Sequence, residues 1–394
     1  METHFFDYLI SPLLKNDFFS NYWEKKFLHV IRNKENYYKD YLSVAAVDDF
    51  LSQQIIMPQG IRLVNQGGDI HSTGWIKRDT VGDGRERESV DTEKVFRFFN
   101  EGATIIIPSA QKTMPRIADA CRLFEQEMKM RVTANIYVTP SNSQGFAMHY
   151  DDHDIFAMQL KGPKTWKIYD SGEALPTNIQ PFRMKPELVS TIEINSGDLL
   201  YLPRGTVHEA FASEASAIHV NFSCMPRYGF HLIKQLSELA EEQDVFFRRV
   251  IPHGFSKNEE VQGYVNLFVQ KLQELLLKNT PDILLTKQTE HFAKLQLLDF
   301  HEYLNNSIAL EKLNADSVVS VRHGFVYALK EAKEGILISF GQQELMIPRV
   351  VEKEIFFLDE PFKVKEIRGM LTPSGKLKLV RELVLGGFLK INQL

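Results

Sequence analysis

Two stretches of the sequence combine metal-binding side chains with a spacing that can bring them together. The first is GFAMHYDDHDIF, residues 145–156. In a β-strand alternate side chains share a face, so His149 and Asp151 are expected to point the same way and to contact one ion. His153 has the same parity and competes with them for this role. An HxD pattern alone is common, and a lone histidine on a strand is more often a hydrogen-bonded residue than a ligand.

The second stretch is GDLLYLPRGTVHEAF, residues 197–211, and it supplies a third ligand. It follows the spacing G-x5-P-x-G-x2-H, which ends on His208. We expect Gly197 to turn a hairpin and an apolar strand to follow it. Pro203 and Gly205 then form a tight turn, after which His208 faces inward.

Together, His149, Asp151 and His208 place two imidazoles and one carboxylate on one side of an ion. This arrangement leaves the opposite coordination positions open, as in the facial triad of non-haem iron(II) oxygenases. A fourth protein ligand would occupy a position that a cosubstrate or O2 needs. His153 and Asp154 are therefore expected either to line the mouth of the site or to form hydrogen bonds with groups that support the ligands.

An iron(II) oxygenase that uses 2-oxoglutarate also needs a buried cation for the distal carboxylate of this cosubstrate. Lys164 begins the predicted strand KTWKIYD. In isolation such a lysine is more typical of a solvated strand edge, but beside a metal triad it is the candidate cation. His219 and Asn221 share one face of the predicted strand AIHVNFSC, where they either line the pocket or make hydrogen bonds in the core.

The composition is that of an ordinary globular chain. Of its 394 residues, 44% are hydrophobic and 25% are charged, enough for two or three domains with cores. The net charge of -5 argues against a surface that neutralises phosphates, so direct nucleic-acid binding is not expected. Cys121 and Cys224 are expected to be buried thiols. No segment predicts a membrane span or a signal peptide, and a cytoplasmic location is expected.

The apolar periodicity predicts three domains. Residues 1–228 begin with a helical lead-in, continue through a long loop at residues 65–91, and end in short strands that predict an all-β barrel or jelly roll. Residues 229–305 have helical spacing and predict either helices that pack on the barrel or a dimerisation element. Residues 306–394 are mixed, and their last turn, helix and strand resemble a small winged-helix domain. Basic and acidic residues nearly balance there, which favours a structural or protein-contact role.

The runs NIYVTPSNSQGFAMHYDDHDIFAMQLKGPKTWKIYD and SGDLLYLPRGTVHEAF resemble the JmjC ribosomal oxygenases, a family of 2-oxoglutarate-dependent protein hydroxylases. The resemblance is strongest from Asn135 to Asn221, and the predicted domain order extends it to nearly the whole chain. It implies an α+β protein with a double-stranded β-helix of the JmjC and cupin type, a helical dimerisation region and a C-terminal winged-helix-like domain. It also implies Fe(II), 2-oxoglutarate as cosubstrate, and O2.

By this resemblance the three predicted ligands hold iron, and Lys164 binds the distal carboxylate of 2-oxoglutarate. Asn135 and Tyr137 match a strand of pocket residues in the family and are expected near cosubstrate or substrate. The Tyr137 hydroxyl either assists Lys164 or has a structural role. Two departures from general cupins, HxD in place of HxH and Ala212 in place of an asparagine, favour the 2-oxoglutarate oxygenases.

The resemblance thus implies a dioxygenase that hydroxylates a protein side chain, with a His or Arg of a basic ribosomal protein as its substrate. We expect Asp152, Asp154 and Glu209 near the mouth of the site, where they suit a basic polypeptide. A homodimer is expected as well. Three other functions stay open: N-methyl-lysine demethylation, hydroxylation of a small peptide or amino acid, and nonenzymatic metal binding by a cupin-like protein.

Overall fold

Two compact units divide the chain, Met1–Pro226 and Arg227–Leu394. The structure, a computed structural model, describes residues 4–53, 55–80, 84–170, 175–180, 185–251, 258–278, 281–296, 301–322, 324, 326–351 and 360–394. Each unit has a hydrophobic core of its own. Within the described residues, no helix has both the length and the apolar character needed to cross a membrane.

The first unit is a β-structure with helices on one side. Its helices are α1 Phe5–Ile10, α2 Lys15–Asn21, α3 Val44–Leu51, α4 Thr92–Asn100 and α5 Pro115–Met128. Its strands are β1 Leu28–Val30, β2 Arg62–Asn65, β3 Gly68–Asp69, β4 Ile76–Thr80, β5 Glu86–Val90, β6 Thr104–Ile107, β7 Val132–Thr139, β8 Ser143–Gln144, β9 Asp154–Lys161, β10 Lys164–Asp170, β11 Glu187–Ile194, β12 Leu199–Leu202, β13 Val207–Ala212 and β14 Ala217–Cys224.

Two antiparallel sheets form the expected jelly roll. The larger has the strand order β1-β12-β9-β14-β7-β6-β2-β3, and the smaller has the order β11-β10-β13-β8. Side chains of both sheets meet in a small core: Ile155, Trp166, Ile168, Ile194, Leu200 and Leu202. Strand β14 is buried at every residue, because the second face of the larger sheet is covered as well.

Aromatic rings cover that second face. Phe6 of α1 and Phe124 of α5 have ring centroids 5.4 Å apart, and Phe124 lies 5.0 Å from Phe156 of β9. Burying one such ring stabilises the fold by about 1.5–3 kcal/mol. Phe5 extends the cluster to Phe222 of β14 at 5.3 Å. The helices thus provide a rigid backing for the strands that line the pocket described below.

Two local predictions for the first unit are wrong. The expected long loop at residues 65–91 contains β3 and the antiparallel pair β4 and β5. These strands consist mainly of charged residues and are largely exposed, so they lack the apolar period by which a strand is recognised. The expected strand FAMHYD is also absent, since His149 forms only an isolated bridge with His208.

The turn at Gly197 is confirmed, but the hairpin is not. Gly197 has a φ of 94°, and a Cβ there would lie 2.1 Å from the carbonyl oxygen of Lys34, so only glycine fits. The strands on either side of the turn, β11 and β12, belong to different sheets. The turn therefore passes the chain from one sheet to the other.

The second unit begins with helices, as its sequence predicts, and continues as mixed structure. Its helices are α6 Gly229–Gln243, α7 Val245–Arg248, α8 Asn258–Lys278, α9 Pro281–Leu295, α10 Tyr303–Ala309 and α11 Pro373–Leu385. Its strands are β15 Val318–Val321, β16 Ala328–Ala332, β17 Gly335–Phe340, β18 Gln343–Pro348, β19 Phe362–Lys363 and β20 Leu389–Gln393. They form two three-stranded sheets, β19-β15-β20 and β16-β17-β18. Helix α11 buries Val380, Leu383 and Val384 in the core of this unit.

Candidate metal centre and adjoining pocket

The structure brings His149, Asp151 and His208 together. Each offers one ligand atom, and these atoms all lie within 4.8 Å of one another. Backbone hydrogen bonds hold the two segments in register: His149 N donates to His208 O at 3.0 Å, and His208 N donates to His149 O at 2.7 Å. Gly205 N donates to Asp151 O at 2.9 Å. Contacts between the segments, rather than strand alternation, therefore position the three side chains.

Both histidines are oriented by a backbone carbonyl two residues earlier. Nδ1 of His149 lies 2.7 Å from Ala147 O, and Nδ1 of His208 lies 3.0 Å from Thr206 O. A proton on Nδ1 donates to the carbonyl in each case, which leaves the Nε2 lone pair for a metal ion. Burial, aided by His149, lowers the pKa of His208 to about 4, so its imidazole is neutral at pH 7. This donor set fits a divalent transition metal such as Fe(II).

A cavity of about 370 Å³ adjoins the three residues, a size that fits a small cosubstrate. All five predicted pocket residues line it: Asn135, Tyr137, Lys164, His219 and Asn221. In β7 and β14, Tyr137 pairs with His219, and Asn135 pairs with Asn221. The rings of Tyr137 and His219 stack 4.6 Å apart. Adjacent antiparallel strands therefore present these side chains to one cavity.

Lys164 is buried at the end of this cavity, with 3% of its surface exposed. Its Nζ donates to Thr139 Oγ1 at 3.1 Å and lies 3.4 Å from Nδ1 of His219. Within the described part of the chain, no carboxylate forms an ion pair with it. Burial lowers the pKa of Lys164 to about 7. A buried amine without a counter-ion fits an anionic ligand. The alternative interpretation of Lys164 as a solvated residue at a strand edge is wrong.

His219 and Asn221 contribute hydrogen-bonding atoms to the cavity. Burial, aided by Lys164, holds the pKa of His219 well below its usual range, so neutral His219 accepts a hydrogen bond from the amine. Asn221 is 7% exposed, and among the described residues its Oδ1 is buried without a hydrogen-bond partner. Burial raises the pKa of the Tyr137 hydroxyl above its usual range, whereas the neighbouring side chains of Asn135 and Asn221 lower it. Asn221 Oδ1 thus remains available to a ligand.

Several lining residues were missed in the sequence, although strand alternation could have found them. Thr139 follows Tyr137 by two positions, Trp166 follows Lys164, and Ser223 follows Asn221; each lies on the pocket face or contacts a pocket residue. The Trp166 ring lies 5.5 Å from that of His208 and 5.6 Å from that of His219. It therefore spans the distance between the metal-binding end and the Lys164 end.

The prediction that acidic residues lie at the mouth of the cavity needs correction. Asp154 is fully buried at the start of β9, where it accepts from the Tyr201 hydroxyl at 2.8 Å and pairs with Arg204 at 3.3 Å. Its position at the mouth was therefore a wrong prediction. Glu209 accepts hydrogen bonds from Tyr169 and Gln144. His153 lines the cavity and lies 3.0 Å from Asp152, whose side chain is 40% exposed.

Comparisons with known proteins support the sequence resemblance. Residues 107–230 match the family model described as "JmjC domain". The chain is 30% identical over 262 residues to "Bifunctional lysine-specific demethylase and histidyl-hydroxylase NO66" of Dictyostelium discoideum, which covers 63% of this chain and 49% of that protein. It is 30% identical over 292 residues to "Ribosomal oxygenase 1" of Danio rerio, covering 69% and 52%. The chain spans about half the length of these relatives.

Among solved structures, the chain resembles YcfD, a ribosomal oxygenase from Escherichia coli, in complex with cobalt and 2-oxoglutarate. The TM-score is 0.58 at 15% sequence identity, and the match covers 97% of this chain and 99% of that one. A likeness at this identity concerns the fold, which agrees with the two-sheet jelly roll. Residues 107–230 of the first unit are therefore similar to JmjC domains, and the relatives of the chain include proteins named ribosomal oxygenases.

Proposed function

We propose that this chain is an Fe(II)- and 2-oxoglutarate-dependent dioxygenase that hydroxylates a protein side chain. One observation carries the proposal. A cluster of two imidazoles and a carboxylate shares a single cavity with a buried lysine that has no carboxylate partner among the described residues. The first end suits a divalent cation and the second suits a carboxylate, as a metal-chelating dicarboxylate requires.

In this proposal His149 and His208 hold the iron through Nε2, and Asp151 holds it through a carboxylate oxygen. Iron held by these residues would supply, with 2-oxoglutarate, the chemistry by which one atom of O2 enters a substrate C–H bond and the other enters succinate, with loss of CO2. The carbonyls of Ala147 and Thr206 fix the tautomers of the two histidines. The protein therefore presents lone pairs without moving a proton.

Lys164 and Thr139 bind the distal carboxylate. The amine supplies the charge, and the Thr139 hydroxyl 3.1 Å away supplies a further hydrogen bond. His219 accepts from the amine and so directs its remaining protons toward the cavity. Trp166 is 2% exposed and excludes water between the two ends, which strengthens the ionic contact. Asn135, Tyr137 and Asn221 contact the cosubstrate or the substrate from β7 and β14.

The substrate we propose is a His or Arg side chain of a basic ribosomal protein. Its support is the names of the relatives, "Ribosomal oxygenase 1" and a histidyl-hydroxylase. Demethylation of N-methyl-lysine is the second candidate, because the Dictyostelium relative is also named a lysine-specific demethylase. Two other functions, hydroxylation of a small peptide or amino acid and metal binding alone, would give different results in the following test.

The test measures succinate formation with Fe(II), 2-oxoglutarate and an extract of ribosomal proteins. The wild-type protein is expected to form succinate and to add 16 Da to one protein, whereas His149→Ala does neither. Loss of 14 Da with formaldehyde would indicate demethylation instead. Succinate without any change of protein mass would favour a small substrate. No succinate from the wild-type protein would refute the proposed function.

We also propose the domain division 1–228, 229–305 and 306–394, with the central region as a homodimer interface and the last as a winged-helix-like domain. Exposed apolar side chains on α8 support the interface: Val265, Leu267, Phe268, Val269, Leu276 and Leu277. Helix α11 followed by β20, which pairs with β15, supports the winged helix. Sedimentation of wild type and Leu277→Glu tests the dimer. A cytoplasmic location without direct nucleic-acid binding completes the proposal.

A further inference from the structure

A buried ionic cluster connects the two segments that carry the candidate metal ligands. Arg204 lies four residues before His208, and Asp154 lies three residues after Asp151. Nη1 of Arg204 is 3.3 Å from Asp154 Oδ2 and also pairs with Glu24. Arg204 is 8% exposed and Asp154 is fully buried.

Tyr201 completes this cluster from β12. Its hydroxyl donates to Asp154 Oδ1 at 2.8 Å and accepts from the backbone N of Glu24 at 3.0 Å. Both oxygens of the Asp154 carboxylate therefore have partners. Glu24, which follows α2 in the chain, is thus connected to the His208 segment through Arg204 and to the His149–Asp151 segment through Tyr201 and Asp154.

The cluster lies next to the backbone contacts that set the ligand geometry. Gly205 N, directly after Arg204, donates to Asp151 O at 2.9 Å. Neither Arg204 nor Asp154 is among the residues that line the cavity, so neither side chain contacts a ligand there. Any effect of the pair on the site must pass through the backbone of the two segments.

We propose that Arg204 and Asp154 are positioning residues that hold the His149–Asp151 segment and the His208 segment at metal-binding distance, with Glu24 as the outer partner. This role rests on the proposed function. Burying an ion pair is costly and adds little net stability, whereas removing one member leaves a buried charge unpaired. The expected function of such a pair is therefore conformational, and it resembles the role of groups that orient metal ligands elsewhere.

The test uses the full chain and Co(II), whose absorption reports binding without any turnover. Arg204→Lys keeps the charge and loses the planar fork, and we expect it to bind Co(II) about 10- to 100-fold more weakly than wild type. Arg122→Lys is the matched control, because Arg122 forms a part-buried pair with Asp119 on α5. The control is expected to bind Co(II) as wild type does.

A second measurement needs no metal. Hydrogen exchange of the metal-free protein should show faster exchange of the His149 and His208 amides in Arg204→Lys, by about tenfold, because their mutual bridge opens more often. If Arg204→Lys does not fold, Glu24→Gln tests the positioning role instead, because Glu24 is 37% exposed and its substitution leaves the core unchanged. We expect it to weaken Co(II) binding by about threefold.

The outcomes separate the two proposals. Wild-type affinity and exchange in Arg204→Lys would overturn the positioning role and leave the proposed function intact. The same holds for unchanged Co(II) affinity in Glu24→Gln when Arg204→Lys is unfolded. Equal losses in Arg204→Lys and in the Arg122→Lys control would show general destabilisation and also overturn it. A wild-type protein that does not bind Co(II) would refute the metal site itself.

Discussion

The two ends of the cavity are built in different ways. The Lys164 end consists of regular strands, and its residues sit at alternate positions of β7, β10 and β14. At the metal-binding end, His149 belongs to no strand and meets His208 through an isolated bridge. Strand periodicity fixes the first end locally. The second depends on hydrogen bonds between segments nearly sixty residues apart, and on the ionic cluster beside them.

The two ends also differ in charge. Burial keeps His208 neutral, so the metal-binding end offers lone pairs and one carboxylate to a cation. The other end offers a buried amine to an anion. A bound iron and a bound dicarboxylate would each neutralise the end they occupy, and both are needed to satisfy the whole cavity. The predictions below test whether the ends respond separately.

The largest effect is expected from His208→Ala. Removing one of three ligands should lower Co(II) affinity and succinate formation by more than about 1000-fold, because the remaining two donors hold a divalent ion weakly. Absorption titration and a succinate assay measure these effects. His231→Ala, in the second unit, is the control and should retain both. Retained metal binding in His208→Ala would place the metal elsewhere.

Lys164→Met should act on the other end. We expect the KM for 2-oxoglutarate to rise about 100-fold, the effect of losing a hydrogen bond to a charged partner in a buried site, with Co(II) affinity unchanged. Lys167→Met is the matched control, because Lys167 lies on the same strand, faces away from the cavity and is 38% exposed. An equal fall in Co(II) affinity would mean that the ends are coupled.

The pH dependence of cosubstrate binding should sharpen this contrast. The pKa of Lys164 is lowered to about 7, so above this pH the free amine is largely neutral and must take up a proton to bind a carboxylate. The Kd for 2-oxoglutarate should rise about tenfold per pH unit above 7. Calorimetry in two buffers with different ionisation enthalpies should detect uptake of nearly one proton at about pH 8.5. Absence of uptake would show that the amine is already charged.

The same shift predicts how stability changes with pH. The unfolded chain keeps the lysine proton up to its ordinary pKa of 10.5, whereas the folded, ligand-free protein loses it near 7. Between these values the unfolded state binds more protons, so the contribution of Lys164 to the free energy of unfolding rises with pH. The Tm of wild type should therefore rise relative to the Tm of Lys164→Met from pH 7 to 9. A constant difference would contradict this assignment.

The smallest effect is expected from Thr139→Val. It removes one neutral hydroxyl that contacts Lys164, and we expect a rise of about fivefold in the KM for 2-oxoglutarate. Thr139→Ser keeps the hydroxyl and should behave as wild type. If Thr139→Ser shows the same rise, the fit of the whole side chain rather than its hydroxyl is responsible.

The sequence alone determined which side chains are the candidates for the chemistry. Ligand types and the G-x5-P-x-G-x2-H spacing identified His208 with its two partners. The family resemblance placed Asn135, Tyr137 and Lys164 at the pocket. Strand alternation placed His219 and Asn221 on one face, because a period of two is a local property of the backbone. The same rule reaches Thr139 and Ser223, which were not predicted.

Only the tertiary structure decided what depends on distant segments. FAMHYD alternates like a strand, yet among the described residues it pairs with no strand and forms an irregular segment that is bridged to His208. Gly197 turns the chain between sheets rather than within a hairpin, and Asp154 faces a buried arginine rather than the mouth. In each case the local pattern fits two environments, and contacts made by residues far along the chain select one of them.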